Sequence, residues 1–193
     1  MDKLQTRISL DKGHPFSVLR ESFKTSPSLQ VETELALAAI LERLNPSERG
    51  TRFLTGGAYE WVLAVACWAS GIKTIPGGHS ENGFDLLEYM EGLRGLWSLK
   101  SFTSARLNGS VRIINKMSAA SVTWSHPTVF ISPDLPGLVY LDPLVATSYA
   151  TQARENDEAL TLPARVIKEY ATNNPGCVIP FDAPVNNGNG GES

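Results

Sequence analysis

The sequence is poor in cysteine, in histidine and in long apolar runs. Its 193 residues include two cysteines and three histidines, and His14, His79 and His126 do not show the spacing of zinc ligands. The longest apolar run, Trp61 to Ala69, is half of the roughly 18 residues that a membrane helix needs. These absences argue against a disulfide-rich secreted domain, a structural zinc protein and a membrane protein.

The ends of the chain and its composition give a second set of expectations. The N-terminal sequence MDKLQTRISLDKGHPF lacks the apolar segment of a secretory signal, so we expect a cytoplasmic, reduced protein. Hydrophobic residues make up 42% of the chain and charged residues 19%, which is ordinary for a globular protein. The length predicts a single domain over residues 1–185, beginning with a helical extension. The tail NNGNGGES, residues 186–193, is expected to be disordered.

Acidic residues are missing from one long stretch. The net charge of −3 argues against a globally basic protein, yet residues 92–133 contain neither Asp nor Glu. With 20 acids in 193 residues, about four would fall in a stretch of this length by chance. Either this is a fluctuation in a hydrophobic region, or the stretch forms a surface that faces a polyanion. Its cationic side chains are Arg94, Lys100, Arg106, Arg112 and Lys116.

Apolar periodicity predicts an alternation of helices and strands. Helical spacing is found over Val31–Leu44 and from about Ala58 to Gly71, with a short helix around Phe16–Phe23. Strands are predicted over residues 71–76, 84–90 and 96–102, and later in HPTVFISP and LVYLDP, before a last helix in LPARVIKEYATN. This order predicts an α/β domain with a mixed sheet flanked by helices.

The stretch over residues 103–118 is ambiguous between helix and strand. Leu107, Val111 and Ile114 are spaced i, i+4, i+7, which indicates a helix capped by Thr103 or Ser104. Its opposite face would present polar and basic side chains. Gly109 and several β-branched residues favour a strand instead. With the helix, the core order is helix, strand, strand, strand, helix, strand.

Three charged residues stand out because they lie in apolar surroundings. Glu60 is the only charged residue from Thr55 to Ile72; it must reach water, a cation or a metal, or it simply lies in the first helical turn, where an acid is favourable. Asp85 interrupts a predicted strand, unless that strand begins one residue later. Lys100 shares a strand face with Ser98, and Asp85 on the neighbouring strand is its predicted partner, in a catalytic site or in a purely structural ion pair.

Together these residues resemble the PD-(D/E)XK nuclease superfamily. The matching positions are Glu60 on a helix, Asp85 within NGFDLL, and Ser98 and Lys100 within WSLKS, in the order that the superfamily shows. The resemblance covers roughly residues 56–132 and implies a restriction-endonuclease-like core of α-β-β-β-α-β order. It also implies a Mg²⁺ ion, replaceable by Mn²⁺, that is held by Asp85 and Glu60, with Lys100 as the catalytic lysine.

Ser98 departs from the superfamily, which usually has Asp or Glu at this position. Some restriction enzymes with a Ser-x-Lys strand take the missing acid from the helix that follows, but here that stretch has no acid. Glu60 is then the best remaining donor, and Glu88 is a weaker one. If neither reaches the metal, the resemblance implies a degenerate nuclease fold that binds without cutting.

The resemblance also gives the acid-free stretch a role. In such folds the helix after the lysine strand lies near nucleic acid, so we expect phosphate or base contacts there. The residues expected to make them are Arg106, Asn108, Arg112 and Lys116, with Arg52 from the loop before the Glu60 helix.

The sequence leads us to predict one function, with a second and a third as alternatives in that order. The first is a metal-dependent DNA endonuclease of restriction or defence type, acting as a homodimer so that two sites cut two strands. The second is a nuclease-like module that binds nucleic acid or protein without cleavage. The third is an unrelated α/β interaction protein in which the Asp85–Lys100 pair is structural.

Overall fold

The computed structural model describes residues 7–44, 52–78, 83–89, 92–102, 109–115 and 122–181, with only the backbone described at residues 52 and 53. The helices in these ranges are α1 (Pro15–Thr25), α2 (Pro27–Arg43), α3 (Arg52–Ala69), α4 (Thr147–Ala150) and α5 (Ala164–Asn173). The strands are β1 (Thr74–Pro76), β2 (Leu86–Tyr89), β3 (Leu93–Ser101), β4 (Ser110–Asn115), β5 (Thr128–Ile131), β6 (Gly137–Leu141), β7 (Arg154–Glu155), β8 (Ala159–Pro163) and β9 (Val178–Pro180). The predicted tail lies outside the described residues.

Six of these strands form one mixed sheet. Their spatial order is β1-β2-β3-β5-β6-β9. β3 and β5 run parallel, and every other neighbouring pair in the sheet is antiparallel. The prediction of an α/β domain with a mixed sheet is therefore confirmed. A smaller antiparallel sheet has the order β4-β8-β7.

The two faces of the six-stranded sheet carry two separate apolar cores. On β5, Val129 and Ile131 join the core formed with α1, α2 and α3, whereas Phe130 joins the core formed with the small sheet and α5. This follows from the alternation of side chains along a strand. Strands that are buried on both faces explain the continuous apolar runs TVFI and GLVYL.

The helix predicted over residues 103–118 is wrong where it can be compared, because Ser110–Asn115 form strand β4. Val111 and Ile113 are buried, while the residues before and between them are exposed. This two-residue period, together with the β-branched side chains, suits a strand that pairs with β8. The expected order α-β-β-β-α-β thus has a strand in place of its second helix. Gly109 precedes this strand, and residues 103–108 and 116–118 of the predicted helix lie outside the described ranges.

The connection from β3 to β5 is unusual for this reason. Parallel neighbours need a long crossover, which is most often a helix. Here the crossover contains β4, which belongs to the small sheet and not to the main one.

No helix in the described part of the chain combines the length and the apolar composition that crossing a bilayer requires.

Candidate functional site

Asp85 precedes β2 by one residue but still continues the sheet on both sides. Its N–H donates to the carbonyl of Trp97 on β3, and its own carbonyl accepts from the N–H of Gly77 after β1, both at 2.9 Å. Position 77 requires glycine, because a Cβ there would approach the Phe84 carbonyl oxygen to 2.6 Å. The backbone of Asp85 is therefore fixed between the end of β1 and Trp97 on β3.

One oxygen of the Asp85 carboxylate meets three groups of β3, two of which are hydrogen-bond donors and one an ammonium. Oδ2 accepts hydrogen bonds from the Ser98 hydroxyl at 3.0 Å and from the Leu99 N–H at 2.6 Å. The ammonium of Lys100 lies 3.6 Å from the same oxygen. The predicted contact between Asp85 and Lys100 is confirmed, as is the shared face of Ser98 and Lys100. The Leu99 N–H is a partner that sequence reasoning missed, because a backbone donor leaves no signal in a sequence.

This cluster is open to solvent to a limited extent. The side chains of Asp85 and Lys100 are each 25% exposed, whereas Ser98 is buried. A charge pair at such a boundary is less screened than one on the surface. It can still meet a ligand that arrives from solvent.

An aromatic residue next to Asp85 is clamped between β3 and the segment that leads into β5. The Phe84 ring covers Gly95 so closely that a Cβ at position 95 would lie 2.2 Å from it. On the other side, the His126 ring stands 4.4 Å from that of Phe84 between centroids. This packing fixes the chain on which Asp85 is carried. The glycine inside an apolar strand was the available signal, since it often marks a close approach.

Glu60 lies in a different layer from this cluster. It is 5% exposed on α3, and α3 covers the face of the sheet to which Trp97 contributes. Ser98 and Lys100 point to the other face, since neighbours on a strand alternate. The site therefore brings together three of the four expected catalytic residues, and the metal-binding role of Glu60 stays a prediction.

Glu88, the weaker candidate, has its own partner. Its carboxylate accepts from Nε of Arg94, which lies opposite it on β3, at 2.7 Å. It shares the helix-facing side of β2 with Leu86. On this side burial raises the pKa of the Cys67 thiol to about 12; a hydrogen bond to Thr74 opposes the rise, and the charge of Glu88 adds a smaller increase. Glu88 is thus part of the α3–β2 packing.

The expected nucleic-acid contacts can be examined at only one residue. Arg112 is exposed on β4 and donates to Glu158 at 2.7 Å, next to a weaker bond to Asn115 at 3.4 Å. Residues 92–133 contain no acid, but Arg112 from this stretch is paired with Glu158 from a later part of the chain. Three of the other expected residues, Arg106, Asn108 and Lys116, lie outside the described ranges, as does the side chain of Arg52.

The described residues contain no group of three or more His, Cys, Asp or Glu side chains placed to hold one metal ion. Comparisons of the chain with protein-family models, with curated proteins and with solved structures found no match. The function must therefore be argued from the Asp85 cluster itself.

Proposed function

We propose that the protein is a metal-dependent DNA endonuclease of restriction type, with Asp85 and Lys100 at its centre. The observation that carries the proposal is the 3.6 Å approach of Lys100 Nζ to Asp85 Oδ2 at a partly exposed sheet end. This contact sets a carboxylate that can bind a metal beside the ammonium of Lys100. The two residues come from the matching motifs NGFDLL and WSLKS. An acid and a lysine on adjacent strands is also the pairing that the resemblance implies.

The residues present fit a magnesium ion, with Asp85 as its carboxylate ligand. Oδ2 is occupied by donors from β3, but Oδ1 takes no hydrogen bond from any described residue. Mg²⁺ is commonly held by one or two carboxylates, with waters and substrate phosphate completing its shell. When bound, the ion would neutralise phosphate charge and lower the pKa of an attacking water.

The chain's own groups have separate tasks in this proposal. The Ser98 hydroxyl and the Leu99 N–H hold the carboxylate through Oδ2, which leaves Oδ1 as the oxygen for the metal. Lys100 keeps a fixed ammonium beside it, where a phosphate oxygen that gains charge would be stabilised. Phe84 and His126 hold the backbone that carries Asp85. Glu60 stays the predicted second ligand of the metal.

A nuclease-like binding module without cleavage is the second candidate. It is favoured by a structural role of Asp85. Its carboxylate accepts the Leu99 N–H, which no described strand pairs with on this side of β3. A serine stands where the superfamily usually has an acid. Asp85 would stabilise the fold through this hydrogen bond even if the protein bound no metal.

Cleavage of supercoiled plasmid DNA tests the proposal. Wild type with Mg²⁺ or Mn²⁺ is expected to give nicked and linear products, and Lys100→Ala to lower the rate at least 100-fold. Lys24→Ala is the matched control, because Lys24 is also paired with an acid, Glu21, at 2.8 Å but is exposed on α1. Its rate should equal that of wild type.

Two results would reject the enzyme. One is the absence of cleavage by wild type with either metal on DNA and on single-stranded RNA. The other is equal cleavage by Lys100→Ala and Lys24→Ala. Salt-dependent DNA binding without cleavage would instead support the binding module.

A further inference from the structure

Helix α3 has a second apolar face that points away from the core. Four large side chains on it are between 52% and 65% exposed: Leu54, Trp61, Val65 and Trp68. Their spacings of seven, four and three residues place them on one side of the helix. We call these four residues the α3 stripe.

The α3 stripe carries no charge. Glu60 is the only charged residue from position 53 to position 72, and it is buried on another side of the helix. The stripe continues to the edge of the main sheet, because the Trp68 indole N–H donates to the Thr74 carbonyl on β1. Ile75 on that edge strand is 39% exposed. An exposed apolar surface of this kind marks an interaction site.

We propose that the α3 stripe is the interface of a homodimer in which α3 packs antiparallel on α3 of a second copy. A two-fold axis at Trp61 makes the stripe complementary to itself, since Leu54 and Trp68 lie seven residues to either side of it. The same axis sets Val65 against Gly57 of the second copy. A Cβ at Gly57 would find nothing within 4 Å, so this side of the helix has room for the incoming valine.

The area is sufficient for a specific dimer. The stripe and Ile75 expose roughly 500 Å² per copy, taking about 250 Å² for a tryptophan side chain and about 120 Å² for an aliphatic one. Two copies together reach roughly 1,000 Å², the lower end for a specific interface. The face is also apolar enough for a homodimer, whose interfaces are less charged than other surfaces.

Sedimentation equilibrium without DNA or metal tests this interface independently of any nuclease activity. Wild type is expected to be a dimer, and Val65→Arg to weaken association at least 100-fold. Val145→Arg is the matched control: Val145 is 59% exposed against 62% for Val65, and its neighbour Ala146 belongs to the core on the other face of the sheet. Its dimer should be unchanged.

Tryptophan fluorescence gives a second measurement on the same samples. Trp97 and Trp124 are buried, so the exposed emission comes from Trp61 and Trp68. Dilution of wild type should shift that emission to the red, whereas Val65→Arg should be red-shifted at all concentrations and keep the wild-type circular dichroism. A wild type that stays monomeric up to about 100 µM would overturn the proposal and assign the stripe to another partner. Equal association of the two arginine variants would also overturn it.

Discussion

The N–H of Leu99 donates to Oδ2 of Asp85 at 2.6 Å, across the point where β2 has not yet begun. Beyond Trp97, no strand among the described residues pairs with β3 on this side, and the Asp85 carboxylate accepts the N–H that a strand would otherwise take. The aspartate thus has a structural task in addition to any chemical one. The two tasks use different oxygens, so they can be separated by substitution.

The first prediction separates these tasks at Asp85. Asp85→Ala leaves the Leu99 N–H and the Ser98 hydroxyl without their acceptor, and should lower the free energy of unfolding by about 2 kcal/mol. Asp85→Asn keeps an acceptor oxygen in place and should cost less than about 1 kcal/mol. Urea denaturation followed by circular dichroism measures both. DNA cleavage should be lost in each, and an alanine variant as stable as wild type would contradict the structural task.

The second prediction concerns Ser98, which stands at a position where the superfamily that the sequence resembles usually has an acid. Ser98→Asp would set a second carboxylate beside Oδ2 of Asp85, so that one of the two pKa values rises. A group with a raised pKa contributes stability below its unfolded pKa and loses it as the pH rises, so the variant should be less stable at pH 8 than at pH 5 relative to wild type. Magnesium should oppose this loss by binding between the carboxylates.

Thermal unfolding with and without MgCl₂ measures this effect. Ser98→Asn is the control, because the asparagine side chain has nearly the same shape as that of aspartate but carries no charge. The gain in melting temperature from magnesium should be several degrees larger for Ser98→Asp than for Ser98→Asn. Equal gains would show that position 98 does not face a cation.

The strand pair at this site was predictable from local rules. Lys100 and Ser98 share a face because side chains alternate, and Asp85 meets them because β2 and β3 form a hairpin. The sequence LWSLKSF predicts the shared face, and the acid in NGFDLL predicts the partner on the neighbouring strand. The Leu99 N–H and the clamped Phe84 ring depend on where the chain turns, which these rules do not determine.

The elements that long-range pairing decides were less predictable. Val111 and Ile114 fit a helical stripe, while Val111 and Ile113 fit a strand equally well. The choice is made by β8, about fifty residues later, since Ser110 pairs with Pro163. For Glu60 the helix was correct, but periodicity alone does not say which face of the sheet a helix covers.

The third prediction is a pH dependence of stability that arises at His14. Its Nδ1 accepts the Phe16 N–H at the start of α1, so the neutral ring carries its proton on Nε2, 3.2 Å from the Tyr140 hydroxyl. Burial lowers the pKa of His14 below its ordinary 6.5, against smaller opposite effects of Asp142 and Asp11. Protonation would replace the cap acceptor by a donor.

The sign follows from the lowered pKa. Below about pH 6.5 the unfolded chain takes up a proton that the folded chain resists, so stability is complete above this pH and falls as the pH drops towards the folded pKa. Urea denaturation from pH 7.5 to 5 measures the slope. His14→Asn keeps a helix cap without a titrating ring and should flatten this part of the curve. The same slope in both proteins would assign it to other groups.

The fourth prediction tests the antiparallel register proposed for the α3 stripe. Gly56 and Gly57 are adjacent helical glycines, and a Cβ at either would find nothing within 4 Å. Alanine at either position should therefore stabilise the helix within one copy by roughly 1 kcal/mol. In the proposed dimer only Gly57 faces Val65 of the second copy, because Gly56 is turned away from the stripe. Gly57→Ala should weaken association at least fivefold, and Gly56→Ala should leave it unchanged, both by sedimentation equilibrium. Equal dimer affinities for the two alanine variants would contradict this register.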